Sequence, residues 1–138
     1  MSLPVLEDRK FLGSIVVDGT TSLTGTLTSA QLVAGAITDP GDAGAIPVTA
    51  SGSCAITTAG AETRTIAAPT FAGQLLNLSL DVDGGACTIT VASTVNQNAD
   101  NTLIAVDAGD QIMLVAGDVA GTPLWKIVCN DGWAVSTV

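Results

Sequence analysis

The sequence predicts an all-β fold: an antiparallel β-sandwich or jelly-roll-like barrel preceded by an extended N-terminal arm. Three observations predict it. Apolar residues recur with period two, as in Leu76, Leu78, Leu80 and Val82 against Leu75, Asn77, Ser79 and Asp81, the repeat of a strand with one buried face. Glycine-rich turn signals punctuate the chain at the roughly eight-to-twelve-residue spacing of sandwiches and barrels. The composition is 47% hydrophobic but only 3% aromatic, so the core must be built from Ala, Val, Leu and Ile.

At 138 residues the chain has the length of one domain, enough to bury roughly two-thirds of its unfolded surface. Residues 1–36 read as the arm with short strands, and residues 37–138 as the sandwich. The first twelve residues hold the densest charge cluster and show no periodicity, as an exposed arm would. The stretch 13–36 mixes β-branched pairs with Gly and Thr, which suggests two or three short strands and turns; a short helix beginning near Ser29 is the alternative. Asp39-Pro40-Gly41-Asp42-Ala43-Gly44 is a loop, because proline and two glycines break either regular structure. Beyond it, residues 46–58 and 62–68 form β-type runs around a turn at Ala59-Gly60-Ala61. The clearest hairpin is expected over residues 74–92: Asp83-Gly84-Gly85 reverses the chain, and Cys87, Ile89 and Val91 then alternate with Thr88, Thr90 and Ala92. After a polar loop at 96–101, strands are expected at 102–106, 111–116, 124–129 and 133–137, with turns at 108–110, 117–123 and 130–132.

Charge and composition narrow the function. Thirteen acids face only Arg9, Lys10, Arg64 and Lys126, a net charge of -9, which argues against nucleic-acid binding through phosphates. Charged residues are 12% of the chain, about half the usual share; a surface so poor in charge suggests burial in an assembly. Histidine and tyrosine are both absent, which removes the commonest general base and the commonest transition-metal ligand, so no enzymatic activity and no cofactor are expected. Cys54, Cys87 and Cys129 are odd in number, widely spaced and set in apolar alternations, which fits buried free thiols. Met1-Ser2-Leu3-Pro4 leads into Glu7-Asp8-Arg9-Lys10 without the apolar run of a signal peptide, and no stretch approaches a membrane span. Synthesis in the cytoplasm, with no membrane partner, is the expectation.

Few residues invite a chemical reading. Asp81-Val82-Asp83-Gly84-Gly85 opens like a calcium loop, but no further ligand follows at the required spacing, so a turn is expected there and likewise at Asp107-Ala108-Gly109-Asp110. A carboxylate pair for hydrolysis needs one acid with a raised pKa in a cleft; the acids here sit in predicted turns, where aspartate accepts local backbone bonds. Glu62 and Arg64 share one strand face and could pair with each other or across a strand or subunit. Arg64 is the best candidate for an intersubunit salt bridge, since cations are so scarce. Trp125 and Trp133 flank Asn130-Asp131-Gly132 and could anchor an interface or stack on a sugar, although core packing is the simpler reading. The candidate interface residues are thus Glu7, Arg9, Lys10, Glu62, Arg64, Trp125 and Trp133.

Residues 37–138, with their Thr-Ala-Gly-Ala-Glu-Thr-Arg-Thr segment at 58–65, Pro69 followed by Gly73-Gln74, Asp83-Gly84-Gly85, Asp107-Ala108-Gly109-Asp110, and Trp125 before Asn130-Asp131-Gly132, resemble the capsid decoration, or cement, proteins and related head proteins of tailed phages. The resemblance implies an antiparallel sandwich, a homotrimer, and a seat on the outer capsid surface clamping major capsid protein subunits. The arm at 1–12 would then be a capsid-docking strand, and the location the virion surface. The alternative is a fibre or tail-spike module that binds host glycan through Trp125 or Trp133; a small hydrolase using a carboxylate pair is the remote third.

Overall fold

The computed structural model describes residues 35–96 and 99–137. Among them the chain forms ten strands and no helix: β1 (Gly35–Ile37), β2 (Gly44–Ile46), β3 (Gly52–Thr57), β4 (Glu62–Ile66), β5 (Leu75–Val82), β6 (Cys87–Val95), β7 (Asp100–Ala105), β8 (Gln111–Val119), β9 (Thr122–Asp131) and β10 (Ala134–Ser136). They make two five-stranded sheets, sheet 1 in the order β1-β3-β5-β8-β9 and sheet 2 in the order β10-β7-β6-β4-β2. The sandwich expected from the alternation is present. The arm residues Glu7, Arg9 and Lys10 lie outside the described residues, while Gly35 and Ala36 already pair in β1.

The pairing corrects the expectation of antiparallel sheets. From β1 to β6 the chain crosses to the other sheet at every connection, so it winds as a flattened coil, and β1–β3, β3–β5, β2–β4 and β4–β6 all pair in parallel. Only then does it switch to antiparallel neighbours, β6–β7, β5–β8, β8–β9 and β7–β10. The expected hairpin over 74–92 is therefore an arch: β5 pairs with β3 and β8, β6 with β4 and β7. The alternation is the same in either case, but in the arch Leu76, Leu78 and Leu80 meet Cys87, Ile89 and Val91 across the core, not side by side in one sheet. The run 46–58 is likewise divided, because the chain leaves β2 at Pro47, which cannot donate to a ladder, and re-enters the other sheet at Gly52. Val82 is exposed, against expectation, because the β3–β5 register skips Asp81: Ile56 pairs with Leu80 but Thr57 with Val82. One extra residue flips every later side chain to the other face. The β8–β9 hairpin turns at Ala120-Gly121, where φ is 52° and 83°, the paired positive values of a type I′ turn; Asp118 Oδ1 accepts the Gly121 N–H at 2.8 Å.

Successive arches stack on one another, and this is where glycine is required. Thr58 N–H donates to Val82 O at 2.9 Å, its hydroxyl donates to Gly85 O at 2.7 Å, and Gly84 N–H donates to Thr58 Oγ1 at 3.0 Å. A Cβ on Gly84 would overlap Thr58 O and the Ala59 backbone, whereas one on Gly60 meets nothing within 4 Å. Gly84→Ala should therefore lower stability by about 1–3 kcal/mol, the scale of overpacking that backbone must absorb, while Gly60→Ala stays within about 0.5 kcal/mol of wild type. Urea unfolding of the two variants checks this; equal midpoints would show that the arches do not stack as described.

Between the sheets lies an aliphatic core, with Ile56, Leu78, Leu80, Ile89, Leu103, Ile112 and Leu114 at 0% exposure. Gln74, fully buried, bridges two connections of the coil: its Nε2 donates to Val48 O at 2.7 Å and to Ala50 O at 3.1 Å, and its Oε1 accepts from Thr70 N at 2.8 Å. Edge strand β9 is blunted by a bulge between Met113/Leu114 and its own Val128, and by Asn96, whose N–H donates to Trp125 O at 3.0 Å and whose Oδ1 accepts the Ile127 N–H at 2.8 Å. Asn96 thus acts as a one-residue strand partner.

Candidate functional site

Alternation along β4 turns Thr63 and Thr65 outward and Arg64 and Ile66 inward. Arg64 is 1% exposed, and a guanidinium in that position needs partners within its own chain. Its Nε donates to Asp39 Oδ1 at 2.8 Å and its Nη2 to Asp39 Oδ2 at 3.2 Å, a two-pronged pair. Nη2 also donates to Glu62 Oε2 at 2.9 Å and Thr57 O at 3.1 Å, and Nη1 to Thr63 O at 3.3 Å. The pairing of Glu62 with Arg64 is as the sequence suggested, but the intersubunit bridge is corrected: Arg64 is spent inside the chain, where it ties the β1–β2 connection to the start of β4.

Asp39 itself accepts the N–H groups of Gly41 at 3.1 Å and Thr57 at 3.0 Å. Burial alone would raise its carboxyl, but the bonds from Arg64, Thr57 and Gly41 outweigh it and hold the group below the usual carboxylate range. Asp42, next along the connection, accepts the Thr63 and Ala43 N–H groups, each at 2.9 Å, and is likewise held low, chiefly by the Thr63 bond. Both carboxyls thus move away from what a general acid needs. The turn aspartates have the structural duty anticipated for them: Asp83 Oδ1 accepts from Gly85 N at 2.8 Å, and Asp110 Oδ2 accepts from Val106 N at 2.9 Å and Asp107 N at 3.1 Å. Among the described residues no group of three or more His, Cys, Asp or Glu is arranged to hold a metal ion.

The two tryptophans are core residues. Trp125 is 0% exposed and its Nε1 donates to Ala67 O at 2.9 Å, across the sandwich. Trp133 is 4% exposed, its backbone held by a reciprocal pair of bonds with the Asn130 side chain, 2.9 and 3.0 Å. Core packing, the simpler reading, is what the structure shows, and neither ring is exposed to serve as an interface anchor or to stack on a sugar. Two grooves open on the surface of the described residues. One, of about 500 Å³, is lined by Ala45, Pro47, Val48, Thr65, Ala67 and Ala92 among others, and the second by Gly35 to Thr38 and Pro47 with Thr49 to Ser51; among the described residues no ionisable side chain lines either.

Cys54 and Cys87 are buried as expected, and burial pushes both thiols up to about 11. Cys129 is exposed, a correction: it pairs with Met113 on the outward side of the β8–β9 ladder, where an apolar setting in sequence does not mean an inward face. Iodoacetamide labelling of the native monomer in dilute solution at pH 8 should modify Cys129 alone, with all three cysteines reacting in denaturant. Mass spectrometry showing early label on Cys54 or Cys87 would contradict the packing.

Charge is distributed in a way the linear sequence does not display. Asp39, Asp42, Glu62, Asp81, Asp83, Asp107, Asp110 and Asp131 all fall in or beside the connections β1–β2, β3–β4, β5–β6, β7–β8 and β9–β10, which share one end of the sandwich; of the described acids only Asp100 and Asp118 lie at the other. The broad faces are left almost neutral. On sheet 2 the outward rows are Ala45–Thr65–Thr90–Thr102–Ser136, in which Thr102 is itself buried, and Thr63–Thr88–Ile104–Ala134, without a charge. No protein-family model matches the chain, and no curated protein matches it in sequence.

Proposed function

We propose that this chain is a non-catalytic structural domain of a tailed-phage head, a decoration protein that associates with copies of itself and seats on the outer surface of the major capsid protein shell. The observation that carries the reading is the polarity just described: acids gathered at one end, and wide sheet faces of little net charge suited to contact with other protein. Bulk charge discourages trapping of nucleic acid, and repeated weak contacts across a shell add by avidity, so no deep pocket is needed. The resemblance of residues 37–138 to phage head proteins supports the same role. Purified chain added to capsid shells of the encoding phage that lack it should bind at regular lattice positions by cryo-EM and raise the temperature at which the shells rupture. Bare shells at saturating protein would overturn the reading.

A further inference from the structure

We propose that the outer face of sheet 1 is where a second copy of this chain docks, the two copies related by a two-fold axis that crosses the strands at Met113. The proposal rests on the self-associating reading above and names its surface. Strands β5, β8 and β9 set three rows in register on this face: Leu75–Val115–Lys126, Asn77–Met113–Cys129 and Ser79–Gln111–Asp131. Leu75 is 43% and Met113 36% exposed. Their polar neighbours are already bonded sideways, Asn77 Nδ2 donating to Ser53 Oγ at 3.0 Å and Gln111 Nε2 to Asn77 Oδ1 at 2.9 Å. Covering the face therefore removes apolar surface from water while stripping few unpaired polar groups.

Charge selects the occupant and its orientation. Lys126 stands in the first row and Asp131 in the third, on the same strand. A two-fold axis in the plane of the face and perpendicular to the strands exchanges these rows and leaves the middle one on itself. Lys126 of each copy then lies over Asp131 of the other, and the two Met113 side chains meet at the axis. Sheets packed face to face stand about 10 Å apart, within the combined reach of lysine and aspartate. The acidic end projects past this contact, so two chains of like net charge meet where opposite charges face each other. The outer face of sheet 2 offers no such match: its rows carry neither a large exposed apolar side chain nor a charged pair to set an orientation. A two-fold contact makes a dimer, not the trimer that the resemblance implies.

Sedimentation equilibrium of the full chain, without shells, tests this. The wild type should show a reversible monomer–dimer equilibrium. Lys126→Asp and Met113→Lys should each weaken it on the order of tenfold or more by placing like charges together, and Lys126→Asp combined with Asp131→Lys should restore it. Unchanged urea midpoints show that the variants fold; if Met113→Lys does not, Leu75→Gln takes its place and should also weaken the dimer. A chain that stays monomeric, a trimer, or a dimer indifferent to the charge reversal overturns the proposal. A chain that dimerises as expected yet never binds shells upholds this interface and overturns the capsid reading.

Discussion

Replacing Arg64 by alanine should destabilise the protein by about 3–5 kcal/mol, the cost of breaking a buried ion pair by removing one partner. That is a large part of the roughly 5–15 kcal/mol that holds a domain folded. The substitution leaves Asp39 beside the core without its two-pronged donor, empties the volume of a fully buried side chain, and leaves the β1–β2 connection tied to β4 only through Asp42 and Ala43 at Thr63. Arg64→Lys should recover only part of the loss, because one ammonium cannot span both Asp39 oxygens while reaching Glu62 and Thr57 O. Acid titration gives an independent reading. The folded Asp39 carboxyl titrates below its unfolded value, so its contribution is fully present above the unfolded pKa, about 4, and is lost as pH falls through the lower folded value. Wild-type stability should therefore decline as pH drops below about 4–5, and the decline should be shallower in Arg64→Ala. Urea midpoints across that range measure both effects; a variant with wild-type stability and an unchanged acid limb would show that the clasp contributes nothing.

Trp125→Ala should cost a similar amount, about 3–5 kcal/mol, as a large ring leaves a cavity that neighbouring strands cannot collapse to fill. The phenylalanine variants separate packing from hydrogen bonding. Trp125→Phe strands the Ala67 carbonyl, which the indole N–H now satisfies at 2.9 Å, so a further penalty of about 1–3 kcal/mol is expected. Trp133→Phe should be milder, since the Trp133 Nε1 has no hydrogen-bond partner among the described residues. Thermal unfolding of the two phenylalanine variants compares them directly; the reverse order of stability would mean that the Trp125–Ala67 bond does not hold the two sheets together. Both results would bear on function as well, because rings that hold the core together are not free to bind a sugar.

Local chemistry alone was enough for much of this. Period-two alternation placed Leu76, Leu78, Leu80, Cys87, Ile89 and Val91 inward, and all are buried; the proline and glycines of 39–44 made a connection. The inward turn of Arg64 was also readable, since it shares a strand face with Ile66 while Thr63 and Thr65 take the other, although an unpaired charge normally faces water. Strand partners were not legible. Alternation says which side of a strand faces the core and is the same for a hairpin and an arch, so Asp83-Gly84-Gly85 could not reveal that β5 and β6 belong to different sheets. Nor could it show that a bulge at Asp81 turns Val82 out, or that Cys129 faces water. The pairing of Asp39 with Arg64, the acids collected at one end and the rows of sheet 1 all join residues far apart in sequence. The chain therefore determined by itself that it would be a β-sandwich with an aliphatic core, because burial follows from local pattern. Tertiary structure alone decided the coiled winding, the buried clasp and the neutral faces, because these depend on which strands meet.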